Sequence, residues 1–346
     1  MKVRELRHRI VRDIRGRRRR LTYSLQEGVE PSSGEPLRVL YSGDQRDLAY
    51  IATLAFTGTP EQTSSGTLSL NELTTATREP ASYDLAIVTL SPTQRNRLNP
   101  QEWVFIPQWI TGDTSLPLPT SPQMKRARAA DLRRIRKHAL SYDVKTDMQD
   151  FDDFYDNMYL PFVSGSHQEG TYIHPYKYMR QDFARCRLLR IHEAGTIISG
   201  ILLDHSTDPV RLWSLGVRDN NREHLKHGAI GGLYHFAFEH LLANGATTVN
   251  LGASRAFLND GVLQYKKKWG QHIRQASPTV FGIRIAKETP AVRSFLGANP
   301  FISISNGKLY ETRVCQTDAL SDDGDPYPGL AGQRLYQLDQ PWQPTQ

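Results

Sequence analysis

The chain has 346 residues, 38% apolar and 23% charged, with a formal net charge of +7. That length and composition suit one large or two ordinary globular domains and exclude a mainly disordered chain. Two cysteines, Cys186 and Cys315, exclude a disulfide framework and show no metal-ligand pairing. A reducing, cytoplasmic setting is expected. No apolar run reaches about 18 residues, and the N-terminus is charged at once, so neither a membrane span nor a secretory leader is expected.

The charge is uneven. Residues 1–20 hold ten Lys/Arg against two acids, and residues 125–137 hold seven against one, which leaves −7 for the rest. Two basic blocks on an acidic body point to a polyanionic partner. Residues 1–20 read as a basic arm, with Val3, Leu6, Ile10 and Ile14 near helical spacing. It is either a solvated tail or a contact for RNA or an anionic membrane face. Residues 26–36 form a polar linker.

Residues 38–42 read as a strand, 47–56 as a helix, and 85–90 and 103–110 as further strands. Residues 57–67 and 111–122 are rich in Thr, Ser, Gly and Pro and read as loops. A basic helix follows over 123–138, then a short strand at 142–145. Asp147 opens a helix with Phe151, Phe154, Tyr155 and Met158 on one face, a core pattern. From 187 the pattern becomes a meander of strands at 188–192, 196–203 and 210–217, joined by short turns and therefore antiparallel. A loop leads to Gly228, Gly231 and Gly232. A helix runs to Asn244, stopped by Gly245, and a strand spans 247–251. Strands at 279–286 and 301–304 close the sheet, and an acidic, then Pro/Gln-rich tail begins at 321.

Three antiparallel strands, a glycine-bearing turn, a helix and a strand is the order of the GNAT core. The local wording is narrower: GGLYHFAFEHLLANG at 231–245, VNLGASR at 249–255, NDGVLQYKKKWG at 259–270, and AGTIISGILL at 194–203. These segments resemble the FemAB-like branch of the GNAT superfamily, clearly over 151–270 and faintly before 123. The resemblance implies an α/β (α+β) fold with a mixed, mostly antiparallel sheet flanked by helices, in two tandem GNAT-like domains with the first degenerate. The boundaries are then 1–36 for arm and linker, 37–122 for the degenerate domain, 123–310 for the catalytic domain and 311–346 for the tail.

The resemblance implies transfer of an acyl or aminoacyl group to a small amine or a cell-wall precursor, with no tightly bound cofactor and no metal. The co-substrate is aminoacyl-tRNA or, alternatively, acyl-CoA. A helix start with glycines also favours phosphate on physical grounds, through free N–H groups and the dipole. That makes Gly228, Gly231 and Gly232 donor-binding candidates. The acyl-CoA turn would need Gln or Arg where Leu225 stands and Gly or Ala where Ile230 stands. Lys226 and His227 replace that turn in charge, not in spacing. This favours tRNA, held by residues 1–20 and 125–137. By resemblance, the Gly216 and Val217 amides polarise the carbonyl, and Arg255, Lys266 and Lys267 lie near phosphates or acceptor. Asp219, His227 and Asp260 are the candidate proton acceptors. A protein of another class, binding RNA or a membrane face without catalysis, is the remaining alternative.

Overall fold

The computed structural model describes residues 20–76, 82–166, 173–315 and 327–337. The expected contacts of the first basic block fall outside them, Arg20 apart. The fold is mixed α/β, with antiparallel pairing dominant and helices flanking the sheets, as expected. Parallel pairs include Pro36–Ser42 with Leu85–Leu90, Arg211–Val217 with Thr248–Asn250, and Lys308–Cys315 with Gln333–Gln337. No helix among the described residues is long and apolar enough to cross a membrane.

The chain divides into two compact units. One comprises Met1–Ile110, Ser254–Leu263 and Arg274–Gln346; the other comprises Thr111–Ala253 and Gln264–Ile273. This corrects the expected boundaries at 37, 123 and 311. The physical reason is the strand Val280–Ile285, which inserts between Leu85–Leu90 and Val104–Pro107, antiparallel to both. Its first four residues, VFGI, are buried, so it belongs to the first unit's core and not to the sheet before it in sequence.

In the first unit the six-stranded sheet has the order Glu61–Leu68, Leu21–Val29, Pro36–Ser42, Leu85–Leu90, Val280–Ile285, Val104–Pro107. Phe301–Ser305, Lys308–Cys315 and Gln333–Gln337 form a three-stranded sheet. The expected arm and linker thus contain a strand, the loop at 57–67 contains another, and the tail contains most of two. Glu61–Leu68 is an edge strand exposed along most of its length. A polar edge shows no apolar alternation to read.

The second unit holds a seven-stranded sheet in the order His272–Gln275, Ile110–Ser115, Thr248–Asn250, Arg211–Val217, Thr196–Asp204, Cys186–Glu193, Ser141–Lys145. The expected meander is present, with Ala194 and Gly195 at positive φ in its first reversal. Its strands are buried on both faces. Leu189, Ile191, Ile201 and Leu203 pack with Leu233, Phe238 and Trp269 in one cluster. Their neighbours Leu188 and Leu202 pack with Phe151, Phe154 and Met158 in another, as the two-residue alternation of a strand requires. Each such buried side chain contributes about 1.5–3 kcal/mol. The helices Pro122–Lys137 and Ala229–Ala243 cover the first face. Helix Met148–Phe154 and a π-helical turn, Tyr155–Tyr159, cover the second. Gly245 at φ 83° ends the long helix, and the Ala246 N–H donates back to the Leu241 carbonyl (3.0 Å).

Candidate functional site

The strand Arg211–Val217 pairs with Thr196–Asp204 along its whole length, from Arg211↔Asp204 to Val217↔Ser199. On its other side it meets Thr248–Asn250 at a single register pair, Arg211↔Asn250. Alternate peptide units of a strand point to opposite sides. Beyond Arg211, the units facing away from Thr196–Asp204 therefore have no strand partner among the described residues. A β-bulge between Leu212 and Ser214 re-aims the backbone there, and Trp213, Ser214 and Leu215 are half-buried in succession.

The parting has a cause in named side chains. Asn250 is buried, and its Oδ1 accepts from the Gly252 N–H (2.8 Å) and the Thr111 hydroxyl (3.2 Å). Its Nδ2 donates to Asp113 (2.6 Å). Gly252 sits at φ 74°, where a Cβ would lie 2.8 Å from the Leu212 carbonyl oxygen. Lys266 is buried and donates to the Ala253 carbonyl (2.7 Å). Together these bonds steer the chain off the sheet after Asn250. Neither Asn250 nor Trp213 stood out in the sequence, although a buried Asn inside the apolar run 249–251 is the signal that would have found the first.

Gly216 and Val217 lie on this open stretch, and both are buried. A Cβ on Gly216 would come within 2.4–2.5 Å of the Met158 and Tyr159 backbone. The glycine therefore admits the π-helical turn against the strand. The half-buried part of the edge is 213–215, slightly earlier than expected.

The glycines of the helix start have close neighbours. A Cβ at Gly228 would lie 2.9 Å from Arg134 Cβ, one at Gly231 2.8 Å from Asp131 Cβ, and one at Gly232 3.4 Å from Leu140. Gly228 and Gly231 let helix Pro122–Lys137 pack closely on helix Ala229–Ala243, while Gly232 meets Leu140 at ordinary contact distance. The packed face of Pro122–Lys137 carries Arg128, Asp131 and Ile135. Its exposed face carries Lys125, Arg126, Arg133, Arg134, Arg136 and Lys137. Lys268 pairs with Asp131 and lies 3.5 Å from the centre of the Tyr265 ring; burial lowers its pKa against the pull of Asp131. Lys226 is exposed and bonds Glu223 (2.7 Å), and Lys267 is exposed. Lys266 holds the chain at Ala253 through its bond to that carbonyl.

His227 Nδ1 lies 3.0 Å from Glu193 Oε2, and His138 Nδ1 lies 2.8 Å from Oε1. The two imidazoles stack at 3.9 Å between centres and 19°. Burial pushes the Glu193 carboxyl up, but the bonds from His227 and His138 outweigh it and hold its pKa below the usual range. Asp219 is exposed in the left-handed region (φ 56°), followed by Asn220 at φ 49°.

Asp260 and Arg255 belong to the first unit. Asp260 accepts from the Val262 and Leu263 N–H groups (3.1 and 3.0 Å), so it caps the helix Gly261–Lys267. Arg255 is buried, 3.8 Å from the centre of the Trp109 ring and 4.8 Å from that of Tyr50. Its Nη1 is 2.8 Å from Asp47 Oδ1, an ion pair by distance rather than a well-aimed hydrogen bond. A cap and a caged cation each have a structural role. Cys186 is buried, and burial pushes its thiol up to about 12, leaving no thiolate for catalysis.

No protein-family model and no curated protein matches the chain. Solved structures do. L-PGS from Bacillus licheniformis is 11% identical, with 79% of this chain and 88% of that one covered, at a TM-score of 0.37. FemX is 12% identical over 75% of this chain and 88% of its own, at 0.36. The tandem GNAT protein from the clavulanic acid biosynthesis pathway is 11% identical over 75% and 82%, at 0.30. The structural neighbours of this chain thus include L-PGS, FemX and a tandem GNAT protein.

Proposed function

We propose that the second unit is an N-acyltransferase that moves an aminoacyl group from aminoacyl-tRNA to an amine. The observation that carries this reading is the parted edge of Arg211–Val217. An aminoacyl ester is already activated, so the protein has to orient the amine and stabilise the oxyanion. Edge N–H groups within 212–217 donate to the carbonyl oxygen as it gains charge. The amine nitrogen bonds to the carbonyl carbon, the ester C–O bond breaks, and the amine proton leaves with the departing oxygen or to water. No covalent intermediate is needed. The exposed cations of Pro122–Lys137 supply a salt-dependent hold on a polyanion. That support, with Leu225 and Ile230 standing where an acyl-CoA turn needs other residues, favours tRNA as the carrier.

The test is mass spectrometry of products from a pool of charged tRNAs and candidate amines. An amide product that vanishes on RNase treatment is expected. Product formed from acyl-CoA without tRNA would overturn the donor, and no product from either donor would overturn the reaction.

A further inference from the structure

His138 at the end of the basic helix, Glu193 at the hairpin turn and His227 at the end of helix Arg222–His227 converge in the second unit. The transfer chemistry proposed above uses none of their donor atoms. We propose that they form a binding site for a divalent transition-metal ion of the zinc class, held by His138 Nδ1, His227 Nδ1 and a Glu193 carboxylate oxygen. This inference does not rest on the transferase reading.

The three donor atoms lie within 4.8 Å of one another. Both imidazole Nδ1 atoms stand near one oxygen, Glu193 Oε1, at 2.8 and 2.9 Å. Bonds of about 2.0–2.1 Å in a tetrahedral site place ligand atoms about 3.3 Å apart. The two nitrogen-to-oxygen spans fall within about 0.5 Å of that value, but the imidazoles stack at 3.9 Å and 19°, so an ion is seated only once each ring turns to bring its Nδ1 lone pair onto it, a side-chain rotation that their partial exposure admits. Two imidazoles and one carboxylate suit zinc, cobalt or nickel, whereas calcium and magnesium prefer all-oxygen sets.

The backbone fixes the three positions. Each ligand is followed directly by a residue in the left-handed region: Ala139 (φ 45°), Ala194 (φ 48°) and Gly228 (φ 100°). Alanine adopts this region rarely and at a cost, so two of these reversals are maintained against local preference. The side chains are 17%, 19% and 31% exposed for His138, Glu193 and His227. That admits an ion and leaves its remaining position to water or another oxygen donor. Separations of 55 and 34 residues between Glu193 and the two histidines hide the set from any motif search.

The test uses the full chain, freed of metal by a chelator, with Zn²⁺ followed by calorimetry and Co²⁺ by absorbance. About one equivalent of Zn²⁺ at a Kd below about 1 µM is expected, with the intense visible bands of four-coordinate Co²⁺. Both should be lost in His227→Ala and in Glu193→Gln and retained in His235→Ala. Zn²⁺ should raise the Tm of the parent and leave that of the two ligand variants unmoved, which separates lost ligation from lost folding. Binding of less than about a tenth of an equivalent, or binding untouched by both ligand substitutions, would overturn the site and leave a hydrogen-bonded cluster only.

Discussion

Asn250 shows how a single polar side chain shapes the sheet. It satisfies the Gly252 N–H, the Thr111 hydroxyl and Asp113 at the point where the chain leaves its neighbour. Asn250→Ala removes the acceptor of the buried Gly252 N–H and one bond each from Thr111 and Asp113, at about 1–3 kcal/mol, and frees the segment that keeps the edge of Arg211–Val217 open. Urea unfolding should show that loss, and transfer activity should fall further than stability accounts for. Asp143 is a second case. Its carboxylate takes two bonds from Arg190, at 2.9 and 2.6 Å. Burial raises its pKa, but Arg190 and His192 outweigh burial and hold it at about 2. A folded pKa below the unfolded one stabilises above pH ~4, and that stability is lost as pH falls toward 2. Because Asp143 is about one-third exposed, solvent screening cuts its share to about 1 kcal/mol. Asp143→Asn should lose it at pH 7 and flatten the decline between pH 4 and 2 in urea titrations. Residue roles were the least legible level in the sequence. Arg255 as a caged cation depends on Asp47, Tyr50 and Trp109, partners distant in sequence that no local pattern shows, whereas the Asp260 cap bonds only Val262 and Leu263.

Elements were legible where burial is periodic. The meander, the long helix with its Gly245 stop and the aromatic helix face were readable because apolar residues recur at strand or helix spacing. Ile110–Ser115 (ITGDTS) was not, because its buried positions include Thr111, Gly112 and Thr114 and show no apolar period. The π-helical turn was read as ordinary helix, since its one-residue excess is set by packing on Gly216. Gly216→Ala drives a Cβ into that turn's backbone, and overpacking of this kind costs about 1–3 kcal/mol. A Tm lowered by about 2–4 °C per kcal/mol is expected in thermal unfolding. For the basic helix, the triple change Arg126→Glu, Arg133→Glu and Lys137→Glu alters only exposed positions. Circular dichroism should be unchanged, while tRNA affinity by fluorescence anisotropy falls and its salt slope becomes shallower by about one for each phosphate no longer neutralised.

At the scale of the molecule, the chain crosses between its two units more than once, which no linear boundary anticipates. Removing residues 276–346 takes Val280–Ile285 from between Leu85–Leu90 and Val104–Pro107, exposing two apolar strand edges. That truncation is expected to aggregate on expression, as judged by the soluble fraction, whereas a loosely attached tail would be dispensable. The central claim is that the open edge of Arg211–Val217 receives the acyl carbonyl. The most direct measurement is amide hydrogen exchange with and without a stable amide analogue of 3′-aminoacyl-adenosine. Slowed exchange at amides within 212–217 on binding is the predicted result. Bound analogue with protection confined to other segments would contradict it.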